Sequence, residues 1–330
     1  MVVLSPQFEL TVGKYKVGAI KTATVEMTRK KPSDICKLEF PNHRDFTLSV
    51  FDEADVVALS LGFKEFAIAP VFAGTVTDIE PNLPLRLICK TPSQAATARP
   101  YKALYESATW AAIAEDALAR GGMVPQVSQQ KPFTLPPAKY RVDNQTPAEV
   151  LNNVADATGF VWYAIPGTEN GYFGPPQEVY QPKKPYVFTV GTNVYSKNCK
   201  LEYVKTHRLK KITVVLPDSE RKLPTALGVF KATDYQDGDR EITLHKAPVV
   251  GPTAAIAEQV AAQEYSTLSP SGFVGSFRAV GNPYIRQGSE IALIVPNYDD
   301  NTRHAIVERV IHRFGNGVYE MDVTLAGGTD

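Results

Sequence analysis

Two histidines near the end of the chain could bind a metal ion. His304 and His312 lie in the segment "RHAIVERVIHRF", eight residues apart. On one extended strand, eight residues at about 3.3 Å each place the two rings roughly 26 Å apart, too far to share an ion. We therefore predict a structural role for His312, with its ring bonded to a neighbouring strand or loop.

An acidic segment, "DYQDGDRE", could bind calcium through its carboxylate oxygens. It contains Asp234, Asp237, Asp239 and Glu241. Gly238 lies between two of the aspartates, and the spacing is not that of the EF-hand loop. We interpret this segment as a solvated turn.

The cysteines could serve as nucleophiles or metal ligands. Cys36, Cys89 and Cys199 are odd in number and widely spaced, which fits neither a disulfide framework nor a metal knuckle. We predict reduced core thiols. A catalytic pair of Cys199 with His207 is disfavoured, because eight residues of β-type sequence separate them.

Other reactive patterns are weak or absent from the sequence. Serine-nucleophile, phosphate-loop and dinucleotide-binding glycine patterns do not occur. A pair of carboxylates that converges in space for glycoside cleavage stays an open alternative, but no pair stands out by context. We assign no catalytic residue, no cofactor and no metal site.

The basic segment and the tryptophans could form binding surfaces, but their sequence context favours other roles. "KTHRLKK" at 205–211 lacks the interleaved aromatics that stack on bases, so we interpret it as a solvated or interface-facing strand. Trp110 and Trp162 could form a sugar platform. Trp110 lies on a helical apolar stripe and Trp162 in "FVWYA", so we predict core packing for both.

Composition excludes some classes of function. The 330 residues carry 35 Lys plus Arg and 35 Asp plus Glu, so no uniform field attracts nucleic acid or an acidic membrane. No uninterrupted apolar run approaches the ~18 residues of a membrane-spanning helix. The N-terminus has no basic region followed by a long apolar run, which predicts folding in a cytoplasm.

The elements that would position these residues are mostly strands. Short, alternating, β-branched segments run from 8 to 90 and resume at about 199, which is typical of antiparallel barrels or sandwiches. The stretch 217–250 is irregular apart from "REITLH", and strands run again from about 272 to the end. Apolar spacing predicts three helices, in "ESATWAAIAEDALARGG", in "NQTPAEVLNNVADATGF" and over 252–268. In the second, Thr146 and Glu149 form a capping box and Gly159 ends the helix.

The chain also contains a faint internal duplication. A shift of 234 residues along the sequence (289 − 55 = 234) aligns "DVVALSLGF" at 55–63 with "SEIALIVPN" at 289–297, so that Ala58 aligns with Ala292. We call this offset the repeat shift. It also places Val76 on Val310. Two copies of one strand hairpin are expected to show this pattern.

The order of these elements resembles the baseplate hub proteins of phage tails, the late control protein D family, which is similar to the hub half of type VI secretion spike proteins. "FDEADVVALSLGF" with "FAGTVTDIE", "TPAEVLNNVADATGFVWYA", and "GNPYIRQGSEIALI" with "HAIVERVIHRFGNGVYEMDVTL" carry the resemblance. His312 occupies the family's strand histidine. Gln287 departs from the family, which often has proline before Gly288, and 217–250 matches no segment of it.

The resemblance implies a predominantly β, α+β fold with two tube-like antiparallel β-barrel domains. The expected domains are a first barrel at 1–96, a small α/β domain at 97–180, a second barrel at 181–216 and 270–330, and a small subdomain with one helix at 217–269. Pro283 and Gly288 are expected to turn the chain into an inner strand, with glycine where positive φ or close backbone approach is needed.

The resemblance further implies a structural baseplate hub in the virion, assembled in the host cytoplasm. The expected partners are two further copies in a homotrimer, the hexameric tail tube, the trimeric spike, other baseplate proteins and DNA passing non-specifically through a channel, without stable membrane insertion. Because the sequence ends at Asp330, we expect the spike and any wall-degrading activity to belong to separate chains. A wall-degrading tail enzyme with its activity in 97–180, and a carbohydrate-binding module, remain alternatives.

Overall fold

The computed structural model shows a predominantly β fold with three α-helices among the residues that it describes. These residues are 4–29, 33–42, 50–66, 68–81, 83–106, 108–128, 140–165, 168–175, 186–204, 209–217, 224–231, 240–246, 254–268, 272–296 and 302–328. The predicted fold class, α+β and mainly β, is confirmed.

Seven strands at the start of the chain form what we call the N-terminal unit. Their side chains alternate between a buried and a more exposed face, as the sequence alternation requires. The strands are β1 (Pro6–Val12), β2 (Tyr15–Val17), β3 (Thr22–Thr28), β4 (Ile35–Glu39), β5 (Val56–Phe63), β6 (Ile68–Glu80) and β7 (Arg86–Lys90).

The middle of the chain forms short strands and two helices. The helices are α1 (Trp110–Arg120) and α2 (Pro147–Thr158). At the start of α1, Thr109 Oγ1 accepts from Ala112. The predicted cap of α2 is confirmed: Thr146 and Glu149 form a capping box before Gly159 ends the helix at φ 72°. The strands are β8 (Tyr101–Tyr105), β9 (Val124–Val127), β10 (Tyr140–Gln145), β11 (Val161–Ala164) and β12 (Asn170–Gly174).

Six later strands form what we call the C-terminal unit, and an insertion separates them into two groups. The strands of the unit are β13 (Tyr186–Thr189), β14 (Lys200–Val204), β18 (Gly272–Val280), β19 (Glu290–Ile294), β20 (Arg303–Gly315) and β21 (Val318–Gly328). The insertion contains β15 (Leu209–Pro217), β16 (Pro224–Lys231), β17 (Arg240–His245) and α3 (Ala254–Leu268).

Both units belong to one sheet of 13 strands. Its order is β14-β18-β21-β20-β3-β4-β7-β6-β5-β1-β2, with β19 on β20 and β13 on β19. Among the described residues, no strand pairing closes either unit into a barrel. The buried faces of both units line a single apolar cluster, the sheet core, in which Phe63 packs against Tyr319 and Phe8 against Phe314.

A second cluster, the helix core, lies under the three helices. It joins buried residues of α1 and α2, such as Trp110 and Val150, to Ile212 of β15 and Val260 of α3. The strands β16-β15-β17 form a separate three-stranded sheet, so residues 209–216 pair with the insertion. The limits of the four expected domains remain predictions. Among the described residues, no helix has the length and apolar character needed to cross a bilayer.

Candidate assembly interface

The two units repeat one strand order. In the N-terminal unit the path is β3-β4-β7-β6-β5-β1, and in the C-terminal unit it is β14-β18-β21-β20-β19-β13. Five of the six places match in direction. At the sixth, β1 runs antiparallel to β5 whereas β13 runs parallel to β19. The chain therefore carries one strand order twice, with five of the six strands in matching directions.

The registers confirm part of the duplication that the sequence suggests. Val76 lies opposite Cys89, and Val310 lies opposite Val323, so the repeat shift relates both members of the pair. The preceding hairpins differ in register. Ala58 lies opposite Ala73, which the repeat shift carries to Val307. Ala292 instead lies opposite His304, three residues earlier. The correspondence is therefore close at β6–β7 and looser at β5–β6.

The two units join through β3 and β20. β19 pairs with the first residues of β20, and β3 then takes over the same edge, with seven residues, Thr22–Thr28, antiparallel to Arg309–Gly315. Because β20 has 13 residues, one strand serves both neighbours. The sheet thus runs without a break from one unit into the other.

The face of this sheet opposite the sheet core is polar, and we call it the polar face. Its arginines lie against carboxylates: Arg309 is 3.2 Å from Glu26, and Arg278 and Arg313 are 2.7 and 2.8 Å from Asp322. Partial burial opposes ionisation of Asp322, but hydrogen bonds from the two arginines outweigh it and hold its pKa below its usual value.

The N-terminal unit has a comparable cluster on this face. Lys21 and Arg86 lie 3.5 and 3.2 Å from Glu39. Shallow grooves of about 230 and 310 Å³ lie along equivalent strands of the two units, β3-β4-β7-β6 and β14-β18-β21-β20. The polar face therefore repeats in shape as well as in topology.

A buried histidine fixes the loop 281–289 to the join. Nε2 of His312 donates to the carbonyl oxygen of Ile285 at 3.0 Å, and the hydroxyl of Tyr319 donates to Nδ1 at 2.9 Å. The carbonyl oxygen can only accept, so it requires a proton on Nε2, and Nδ1 accepts from the tyrosine hydroxyl when the ring is neutral. Burial lowers the pKa of His312 to about 4. The predicted structural role of His312 is confirmed.

The same loop binds the N-terminal unit through Gln287. Its side chain is buried, and Nε2 lies 3.4 Å from Oδ1 of the buried Asp34. Proline at this position could not supply that amide. Gly288, at φ 82°, turns the chain toward β19, as predicted. Burial raises the pKa of Asp34 to about 7, although the bond from Gln287 opposes the shift.

Asp34 and His312 have opposite effects on stability. Asp34 binds its proton more tightly in the folded chain, so between about pH 4 and pH 7 a rise in pH costs stability, in total about 4 kcal/mol. His312 is kept neutral, so below pH 6.5 a fall in pH costs stability, in total about 3 kcal/mol. The two slopes nearly cancel between about pH 4 and pH 6.5.

We predict that, in the Asp34→Asn variant, the pH dependence of the free energy of unfolding shows the contribution of His312 without the opposing contribution of Asp34. The variant should equal the wild type in stability near pH 4, gain stability up to about pH 6.5, and exceed the wild type by up to about 4 kcal/mol at pH 8. Urea unfolding at pH 4, 5, 6, 7 and 8 measures this. Identical pH profiles for the variant and the wild type would contradict the prediction.

The remaining candidate residues do not converge. His304 lies 2.8 Å from Glu290, on a different part of β20 from His312, so the two rings are not brought together. Cys36 and Cys89 lie opposite each other on β4 and β7 as free, buried thiols, which confirms the prediction for these two. Burial raises the pKa of Cys89 to about 12. Cys199 is free and half-buried.

Both tryptophans lie in the helix core, as predicted. Nε1 of Trp162 donates to Oδ1 of Asn152 at 2.7 Å. Asp234, Asp237, Asp239 and His207 lie outside the described residues. Among the described residues of the acidic and basic segments, Nζ of Lys211 lies 3.4 Å from a carboxylate oxygen of Glu241. No group of three or more possible metal ligands occurs within the described ranges.

Sequence analysis missed Asp34, the partner role of Gln287 and the Asp322 cluster. Alternation in "VYEMDVTL" could have indicated the last of these, because it places Tyr319 and Met321 on one face and Asp322 on the other. No local pattern indicates the contact between Asp34 and Gln287. β16 was also missed, in a segment that the sequence left irregular.

No protein-family model matches the sequence, and no curated protein matches it. Solved structures share its fold. A 43 kDa tail protein of prophage MuSo2 from Shewanella oneidensis has a TM-score of 0.69 at 15% identity, with 97% of this chain and 98% of that chain covered. A tail protein from Neisseria meningitidis MC58 has a TM-score of 0.70 at 12% identity, with 99% and 97% covered.

A third similar structure comes from a secretion system. It is an E. coli component of the type VI secretion system, described as structurally similar to tail proteins of bacteriophage T4. Its TM-score is 0.60 at 12% identity, with 97% of this chain and 78% of that chain covered. The chain thus shares its fold, along nearly its whole length, with these two tail proteins and with this type VI secretion component.

Proposed function

We propose that this protein is a structural, non-enzymatic baseplate hub of a phage or phage-like tail. The observation that carries the proposal is the repeated strand order of the two units. Three copies of a chain with two like-shaped units supply six similar surfaces, so a trimer can contact a hexameric tube on one side and a trimeric spike on the other. The fold shared with tail proteins supports this role.

The join between β3 and β20 suggests how such a ring is built. It sets two units side by side in one sheet, so a ring of six units needs only one further type of join, between copies. The polar face then lines the channel, while the sheet core lies behind it. We place the protein in the tail baseplate of the virion, assembled in the host cytoplasm.

The polar face suits a channel through which DNA passes. Its guanidinium groups at positions 86, 278, 309 and 313 each lie 2.7 to 3.2 Å from a carboxylate oxygen. A cation that is already paired gains less from a phosphate, so a passing duplex is not held tightly. The contact with DNA is therefore non-specific and weak.

Electron microscopy of the purified protein, together with its solution mass, tests the proposal. We expect a ring with three-fold symmetry, six similar densities and a mass of three chains. A stable monomer at micromolar concentration would overturn the trimeric hub. If that monomer cleared peptidoglycan, the chain would be a wall-degrading enzyme, and if it bound glycans saturably, a carbohydrate-binding module.

A further inference from the structure

The edge of β20 that receives β3 has a counterpart in the N-terminal unit. That counterpart is the last part of β6. β5 pairs with β6 as far as Thr75, and the backbone of Asp55 accepts from Val76 at 2.9 Å. Beyond this point, residues 77–80 have no strand partner on that edge within the described residues. Residues 77–80 therefore form a short sheet edge that no other described residue covers with a strand.

β14 has the place in the C-terminal unit that β3 has in the N-terminal unit. β3 follows β4 at the end of its path, and β14 follows β18. β3 uses its second edge to pair with β20, whereas the second edge of β14 has no strand partner among the described residues. Within the residues that the structure describes, each unit therefore presents one open edge at the place that corresponds to the join, besides the outer edges of β2 and β13, which end the sheet.

We propose that the first residues of β14 of one copy, Lys200 and Leu201, pair antiparallel with Asp78 and Thr77 of the next copy, on the edge that corresponds to the one where β3 pairs with β20. This inference rests on the proposed trimer and names the surface that builds it. The occupant of both edges is a second copy of this chain. Three such joins between copies alternate with the three joins within chains and make the sheet continuous around the ring.

The register of this join follows from the repeat. Ile311 lies opposite both Asp322 and Glu26. Asp78 lies opposite Ile88, and the repeat shift carries Ile88 to Asp322. Asp78 therefore occupies in β6 the position that Ile311 occupies in β20.

The place of β14 in the join is found in the same way. Glu26 lies opposite Ile35, and Ile35 lies opposite Lys90 on the next strand. In the C-terminal unit, Lys200 lies opposite Ser276, and Ser276 lies opposite Thr324. The repeat shift carries Lys90 to Thr324, so Lys200 has the place of Glu26. Since Glu26 lies opposite Ile311, Lys200 of one copy lies opposite Asp78 of the next.

The charges of the two edges are complementary. Asp78 and Lys200 are both exposed, and neither forms an ion pair with another described residue. Glu80 follows Asp78 on the same edge, and Lys197 lies exposed in the turn before β14. Opposite charges at directly opposed strand positions are favourable, and like charges there are unfavourable. The complementary pair is therefore Asp78 with Lys200, since Glu80 also lies 3.8 Å from Arg86 and β14 carries the exposed Glu202 beside Lys200.

Charge reversal tests the pairing. We expect Asp78→Lys and Lys200→Asp each to weaken trimer association by about tenfold or more, because each places like charges at all three joins. The double variant, Asp78→Lys with Lys200→Asp, should restore association. Sedimentation over a range of protein concentrations measures this, and Glu115→Lys, on the exposed face of α1, is the matched control.

Disulfide formation provides an independent readout. In a background with Cys199→Ser, the pair Asp78→Cys and Lys200→Cys should form covalent trimers on mild oxidation, whereas either single variant should not. If the wild type is a trimer but both reversals associate normally and no cross-link forms, this join is wrong while the hub proposal stands. If the wild type is a monomer, both proposals fail.

Discussion

Replacing Gly228 with alanine is expected to prevent α3 from packing on its sheet. Gly228 lies in β16, and a Cβ atom there would overlap the carbonyl group of Ala257 and the backbone nitrogen of Glu258 in α3. Neither partner is a flexible side chain, so the helix must move away and uncover Ala257, Val260 and Ala261. We expect a loss of about 3 kcal/mol or more in the free energy of unfolding.

Thermal unfolding and hydrogen exchange over 254–268 measure this effect. The matched control is Gly18→Ala, because no atom lies within 4 Å of the added Cβ there. That variant should stay within about 0.5 kcal/mol of the wild type. A Gly228→Ala protein with wild-type stability and wild-type protection of α3 would show that the close packing is not required.

Replacing His312 with leucine is expected to lower the free energy of unfolding by about 3 to 5 kcal/mol. Leucine fills much of the space but leaves the carbonyl of Ile285 and the hydroxyl of Tyr319 without the partners that the ring supplies. Both groups lie where water cannot replace that ring, since Ile285 and Tyr319 are buried. The loop 281–289 should therefore loosen from the join.

Urea unfolding of three variants separates the causes. Adding Tyr319→Phe to His312→Leu removes the unpaired hydroxyl, so the double variant should recover about 1 to 2 kcal/mol relative to His312→Leu alone. The control is His304→Leu on the same strand, which removes a partly exposed contact with Glu290 and should cost about 1 kcal/mol or less. Equal losses for His312→Leu and His304→Leu would refute the buried role.

A glycine in β18 connects stability to assembly. Gly275 adopts φ 113°, and a Cβ atom there would overlap the carbonyl oxygen of Lys200. The absence of a side chain lets β14 lie close against β18, where Leu201 lies opposite Gly275. The position of the proposed edge for a second copy thus requires glycine here.

The local elements follow from the amino-acid sequence alone. Helix α2 could be predicted to the residue at its N-terminus because a capping box needs only Thr146, Glu149 and their spacing of three. Strands followed from alternation, and the core roles of Trp110 and Trp162 followed from their apolar neighbours. The duplication was visible in part, because Val76 and Val310 keep both residue type and register.

The way in which these elements meet could be read only from the folded chain. Gln287 contacts Asp34 although the two are 253 positions apart in the sequence, and β20 pairs with β3 although most of the chain lies between them. A strand exposes the same backbone donors and acceptors to any partner, so its sequence specifies which face is buried but not which edge it joins. The choice of edge, and with it the open edges of β6 and β14, depends on packing around a core that distant segments build together.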